Sequence, residues 1–185
     1  PTQTDSLQRL IQIPDNIKGP YYVYIEADVY NYVFEYNNEN NNIRRSDTSV
    51  ILKNADLIVS SITIPAADSS GKNISVQWTM KNNGPGTMYG ESWNNKIMLS
   101  SYSSYHPDSV TTLGTHAFGG TIYPGSTLNT QKTVTLPNGI SGPYYVYVHT
   151  DYQNHIYEDT NDVNNISRST SALQVTLSPW ADLKA

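Results

Sequence analysis

Apolar and polar residues alternate over much of this chain. Ile74, Val76, Trp78 and Met80 are separated by Ser75, Gln77 and Thr79. A period of two places one set of side chains on a core and the other in water, so the pattern predicts a strand over 74–80. The run Ile58-Val59-Ser60-Ser61-Ile62-Thr63-Ile64 reads as the strand before it, and 96–100 as the strand after it. Shorter strands are expected at 115–118 and 130–136, a long one at 144–151 and the last at 166–177. Asn82-Asn83-Gly84-Pro85-Gly86 and Pro137-Asn138-Gly139 are turn signals between them. No window carries the 3.6-residue apolar period of a helix. About seven strands in roughly 125 residues predict an all-β, Ig-like antiparallel β-sandwich. Along 144–151, Tyr144, Val146, Val148 and Thr150 share the face with both valines and are expected inward; Tyr145, Tyr147 and His149 are expected outward. Trp78 belongs with the core, and Trp93 lies at a strand entrance.

The chain repeats itself. Ile17-Lys18-Gly19-Pro20-Tyr21-Tyr22-Val23-Tyr24 returns 123 residues later as Ile140-Ser141-Gly142-Pro143-Tyr144-Tyr145-Val146-Tyr147. The same offset carries Asp28 to Asp151, Asn31 to Asn154, Glu35 to Glu158, Asn41-Asn42-Ile43 to Asn164-Asn165-Ile166 and Arg45-Ser46 to Arg168-Ser169. About 20 of the first 54 residues match without a gap. Ala55-Asp56-Leu57 reappears as Ala181-Asp182-Leu183 after an insertion, Ser178-Pro179-Trp180. Three segments are therefore expected: 1–54, the C-terminal part of a preceding repeat; 55–180, a complete repeat; and 181–185, the start of the next. Trp180 is expected to pack between consecutive domains. A half-sandwich exposes core face and open strand edges, so 1–54 needs a partner: its missing half, a neighbouring repeat or a neighbouring chain.

Composition narrows the function. The net charge of −5, from 16 acidic and 11 basic residues, disfavours nucleic acid, whose binding needs a basic face. It equally disfavours an anionic membrane surface, and no run is apolar enough to insert in a bilayer. With no cysteine there is no disulfide, thiolate metal site or cysteine nucleophile. Tyrosine occurs 15 times against two phenylalanines, and only 15% of residues are charged. The polar, asparagine-rich surface suits an extracellular repeat protein.

These motifs together resemble CARDB, the cell-adhesion-related domain found in bacteria. Ala55-Asp56-Leu57-Ile58-Val59 looks like its first strand, and Val76-Gln77-Trp78-Thr79-Met80-Lys81-Asn82-Asn83-Gly84 like its second strand and turn. Ser92-Trp93 with Ile97-Met98-Leu99-Ser100, then Tyr123-Pro124-Gly125-Ser126, then the stretch 144–165 with its acidic and Asn-Asn tail, follow in the family's order. The resemblance implies a non-catalytic structural or adhesive repeat of a large secreted or cell-surface bacterial protein, and the repeat with almost no linker between copies predicts stacking into a rod or fibre. Such repeats also accompany hydrolases, so the alternative is a carbohydrate-binding accessory domain.

Two sets of residues are candidates for chemistry. Asp151, Glu158, Asp159 and Asp162, with Asn154, Asn161, Asn164 and Asn165, crowd hard oxygen ligands into one connection. Calcium takes six to eight such oxygens. The competing role is structural, because Asp and Asn side chains bond to nearby backbone and hold turns. Tyr36 in place of Asp159 in the earlier copy favours the structural role. Glu158 and Asp162 are of the right type for a glycosidase pair, but no second acid marks a separate strand end, and no catalytic residue is expected. The histidines lack zinc spacing. The second set is Tyr22, Tyr24, Tyr145 and Tyr147, outward aromatics suited to a protein partner or to surface glycans.

Overall fold

The alternation becomes strands. The computed structural model describes residues 6–11, 13–14 and 17–179. Contacts divide the chain into two units, Pro1–Leu52 and Lys53–Ala185. Pro1, Trp180 and the expected new start at 181–185 lie outside the described residues.

The first unit carries four short strands: β1 (Gly19–Tyr21), β2 (Tyr24–Glu26), β3 (Ile43–Arg45) and β4 (Val50–Leu52). β1 pairs with β4, and β2 with β3, both antiparallel. The connection between β2 and β3 bends through left-handed residues Asp28, Asn31 and Tyr36. Asp and Asn tolerate that conformation better than most residues.

The second unit holds nine strands: β5 (Leu57–Thr63), β6 (Ala67–Ser69), β7 (Asn73–Asn82), β8 (Met88–Ser100), β9 (Thr111–Ile122), β10 (Thr127–Thr135), β11 (Gly142–His149), β12 (Ile166–Arg168) and β13 (Leu173–Thr176). One sheet runs β10-β7-β5; the other runs β6-β13-β11-β8-β9, with β12 also on β11. Every pairing is antiparallel except β13 with β6. The expected strictly antiparallel sandwich thus gains one parallel edge from β6, a three-residue strand too short to show in an alternation pattern. No α-helix occurs among the described residues.

The core lies between the sheets. Ile74, Val76, Trp78 and Met80 of β7 face Trp93, Ile97 and Leu99 of β8, Val146 and Val148 of β11, and Leu173 and Val175 of β13 in one buried cluster. Each such side chain contributes about 1.5–3 kcal/mol on burial. In β5 the register shifts between Val59 and Ser61. That bulge lets Leu57, Val59 and Ile62 share the inner face although strict alternation would turn Ile62 outward.

Three expectations change. β8 begins at Met88, well before Lys96, and β9 runs over 12 residues, where 115–118 was expected. Gly90, Asn94 and Asn95 blur the pattern in β8, as Gly114, Gly119 and Gly120 do in β9; pairing between the two strands, with Trp93 opposite Phe118, forms both. The expected last strand splits. Ser169 leaves the ladder, its hydroxyl accepting the Val146 amide and donating to the Ser171 carbonyl, so β12 pairs with the end of β11 and β13 with its start.

Candidate functional site

The acidic and asparagine residues gather at the end of the second unit where β7 and β11 finish. Asp151 follows β11 in a left-handed conformation. Its carboxylate accepts the amides of His155 (3.0 Å) and Ile156 (2.8 Å), which folds the following chain back beneath it. Burial pushes the Asp151 carboxyl up, against the lowering effect of those amides. Glu158 is fully buried. Its Oε1 accepts the Leu57 amide at 2.8 Å, tying the loop to the first residue of β5. Burial raises Glu158 to about 7 despite that amide and the neighbouring Asn165, with Asp151 and Asp162 adding to the rise. At this value the carboxyl is half protonated near neutrality, which suits a buried oxygen, Oε2, that meets no hydrogen-bond donor.

A second knot sits beside it. Asn164 Nδ2 donates to Asp56 Oδ1 at 2.9 Å, and Asn83 Nδ2 to Asp56 Oδ2 at 3.3 Å. The Asn82 side chain accepts the Asp56 and Gly84 amides and donates to the Gly86 and Ile122 carbonyls. Gly84 and Gly86 are required there: a Cβ on either would stand 2.6 Å or less from the backbone of residues 53–54. Asp56 was not among the expected site residues. Its only sequence signal was its place in the restarting Ala-Asp-Leu motif.

The four carboxylates proposed for calcium are thus placed differently from one another. Asp151 and Glu158 hold backbone amides. Asp159 occupies another left-handed turn position, with the Tyr157 hydroxyl donating to its carboxylate. Asp162 opens a short 3-10 turn, and one of its oxygens is buried without a hydrogen bond. Among the described residues, no three His, Cys, Asp or Glu side chains converge closely enough to hold a metal ion. Two of the four carboxylates thus serve as latches on backbone amides. Glu158 and Asp162 also make no glycosidase pair, since Glu158 is sealed from substrate and solvent.

The tyrosines divide as well. Tyr22 and Tyr24 are exposed, with the Arg45 guanidinium 4.2 Å from the Tyr22 ring centre. Tyr145 is half-buried under Arg168, 4.5 Å away. Tyr147 is a correction: expected outward as a contact surface, it is 3% exposed. It does leave the core face, but residues 101–109 cover it there. Its hydroxyl donates to the Tyr102 carbonyl at 3.0 Å, and the Tyr105 ring lies 5.6 Å from its own. Its register partner Met98 is buried too.

A sequence model of the CARDB family matches residues 54–169. The CARDB domain of the PF1109 protein from Pyrococcus furiosus, solved in complex with di-metal ions, is similar at 16% identity and TM-score 0.49, over 70% of this chain and all of that one. Spo0M, a sporulation control protein of Bacillus subtilis, matches at 17% identity and TM-score 0.41, over 71% of this chain and 52% of its own. A β-glucosidase from Listeria innocua matches at 12% identity and TM-score 0.40, with 16% of its length covered. Comparison with curated proteins found no match.

Proposed function

The chain belongs to the CARDB family, and from that premise we propose that its second unit is a non-catalytic structural or adhesive module, joined head to tail with others in a secreted or surface protein. The observation that carries this reading is where the backbone enters and leaves the sandwich. It enters at Asp56 and Leu57, beside Glu158 and the Asn82 turn. It leaves at Ser178, whose amide donates to Ser70 Oγ. Ser70 lies at the opposite end, where Gly71 donates to the Pro137 carbonyl and Leu136 to that of Lys72. Both ends are hydrogen-bonded, so each module would extend the chain by about the length of β7. Its 10 residues at roughly 3.3 Å each span about 33 Å.

A module built for extension needs no cleft, and its buried carboxylates Asp151 and Glu158 accept backbone amides. The glycan-binding alternative loses Tyr147 from its surface and keeps Tyr145 only beneath an arginine. Small-angle scattering on two consecutive complete units tests the reading. The maximum dimension should grow by about 30–40 Å per unit, as β-strand rise requires. A pair folded side by side, or freely hinged, would contradict it.

A further inference from the structure

One hydrogen-bonding frame occurs twice in this chain. In the second unit the Ser169 amide donates to the Val146 carbonyl and the Val146 amide to Ser169 Oγ. In the first unit the Ser46 amide donates to the Val23 carbonyl and the Val23 amide to Ser46 Oγ. Asp28 accepts the amides of Tyr32 and Val33 just as Asp151 accepts those of His155 and Ile156. The Ala27 amide meets the Asn42 carbonyl where that of Thr150 meets Asn165. The left-handed residues Asp28, Asn31 and Tyr36 stand at the places of Asp151, Asn154 and Asp159.

The coverage of this frame differs. Val148 is fully buried, whereas Ile25 at the same place is 69% exposed; Ile156 is 5% exposed and Val33 60%. Apolar character is kept at each of these positions, and at Val50 and Leu52 where the second unit has Leu173 and Val175. In the second unit this face is buried against residues of β5, β7 and β8. Those strands, in the one copy the described residues hold, are already taken by β11 and β13.

We infer that the apolar face of residues 19–52 is a docking surface for one occupant: a first-half segment with the pattern of residues 55–122, carried by the chain on the N-terminal side of Pro1. Connectivity favours this source, because in the second unit the first half directly precedes the second through Tyr123-Pro124. A second copy of this chain is the poorer occupant, since its own first half would have to be released. The inference holds whether or not complete units stack end to end.

The test places a duplicate of residues 55–123 directly before Pro1 of the full chain. Calorimetry should then show a second cooperative transition that the original chain lacks. Ile25→Asp should abolish that transition, leave the one belonging to residues 53–177 in place, and be silent in the original chain. The inference is overturned if the extended chain gains no transition or if Ile25→Asp leaves a gained one unchanged. It is also overturned if the original chain is a dimer that Ile25→Asp dissociates, which would make the second copy the occupant.

Discussion

Residues 19–52 and 142–175 are two copies of one pattern in different company. Both keep the serine-to-valine exchange, the aspartate brace and the arginine over tyrosine. In the later copy the apolar positions fill a core; in the earlier one they face solvent. The difference separates two kinds of information. Loop geometry is local: an aspartate carboxylate that accepts amides four and five residues ahead needs nothing from elsewhere in the chain. Burial is not local, because it is supplied by β5, β7 and β8. The aspartate and serine that brace the backbone are identical between copies, Asp28 with Asp151 and Ser46 with Ser169, whereas Ile25 and Val148 differ in shape and share only their apolar character. Packing tolerates a change of shape better than a brace tolerates a change of chemistry.

Substitution at matched positions should split the copies most widely. Leu173→Ala opens a cavity in a closed core and should cost about 2–5 kcal/mol in urea unfolding. Val50→Ala, at the same place in the earlier copy, should stay within about 0.5 kcal/mol of the parent. Similar losses at both sites would mean that the two faces are equally covered.

A smaller effect belongs to Glu158 and to the second unit's transition. Its carboxyl, raised from 4.5 to about 7 in the folded unit, keeps its proton where the unfolded chain has released it. The stability this proton contributes is fully present below about pH 4.5 and is lost as pH rises through about 7. At 1.36 kcal/mol per pK unit the loss is at most roughly 3 kcal/mol. Glu158→Gln, neutral throughout, should flatten most of that slope in melts taken from pH 5 to 8. A parent whose Tm does not fall over this range would show that Glu158 is ionised throughout.

The sandwich was legible where one face is buried and the other wet. β7 alternates over its whole length, and β11 nearly so, so their inward residues could be named from the chain alone. β8 and β9 were only half legible, since glycines and asparagines break their pattern and mutual pairing restores them. The acidic loop was legible as residues that brace turns, because Asp and Asn favour left-handed positions. Its partner was not, since Glu158 and Leu57 lie 101 residues apart and neither carries a local mark. Tyr147 misled for a related reason: its cover, residues 101–109, has no hydrophobic period of its own. Alternation correctly turned Tyr147 away from the core but could not announce the lid.

Residue-resolved amide hydrogen exchange on the chain as it stands sets the two copies side by side in one sample. Val146 and Thr150 share with Val23 and Ala27 the same acceptors at similar distances, so bond geometry alone predicts equal protection. If burial governs stability, Val146 and Thr150 should exchange only with global unfolding, and Val23 and Ala27 orders of magnitude faster. Equal protection at the four amides would contradict the account, because residues 19–52 would then be stable without the half that covers their counterparts.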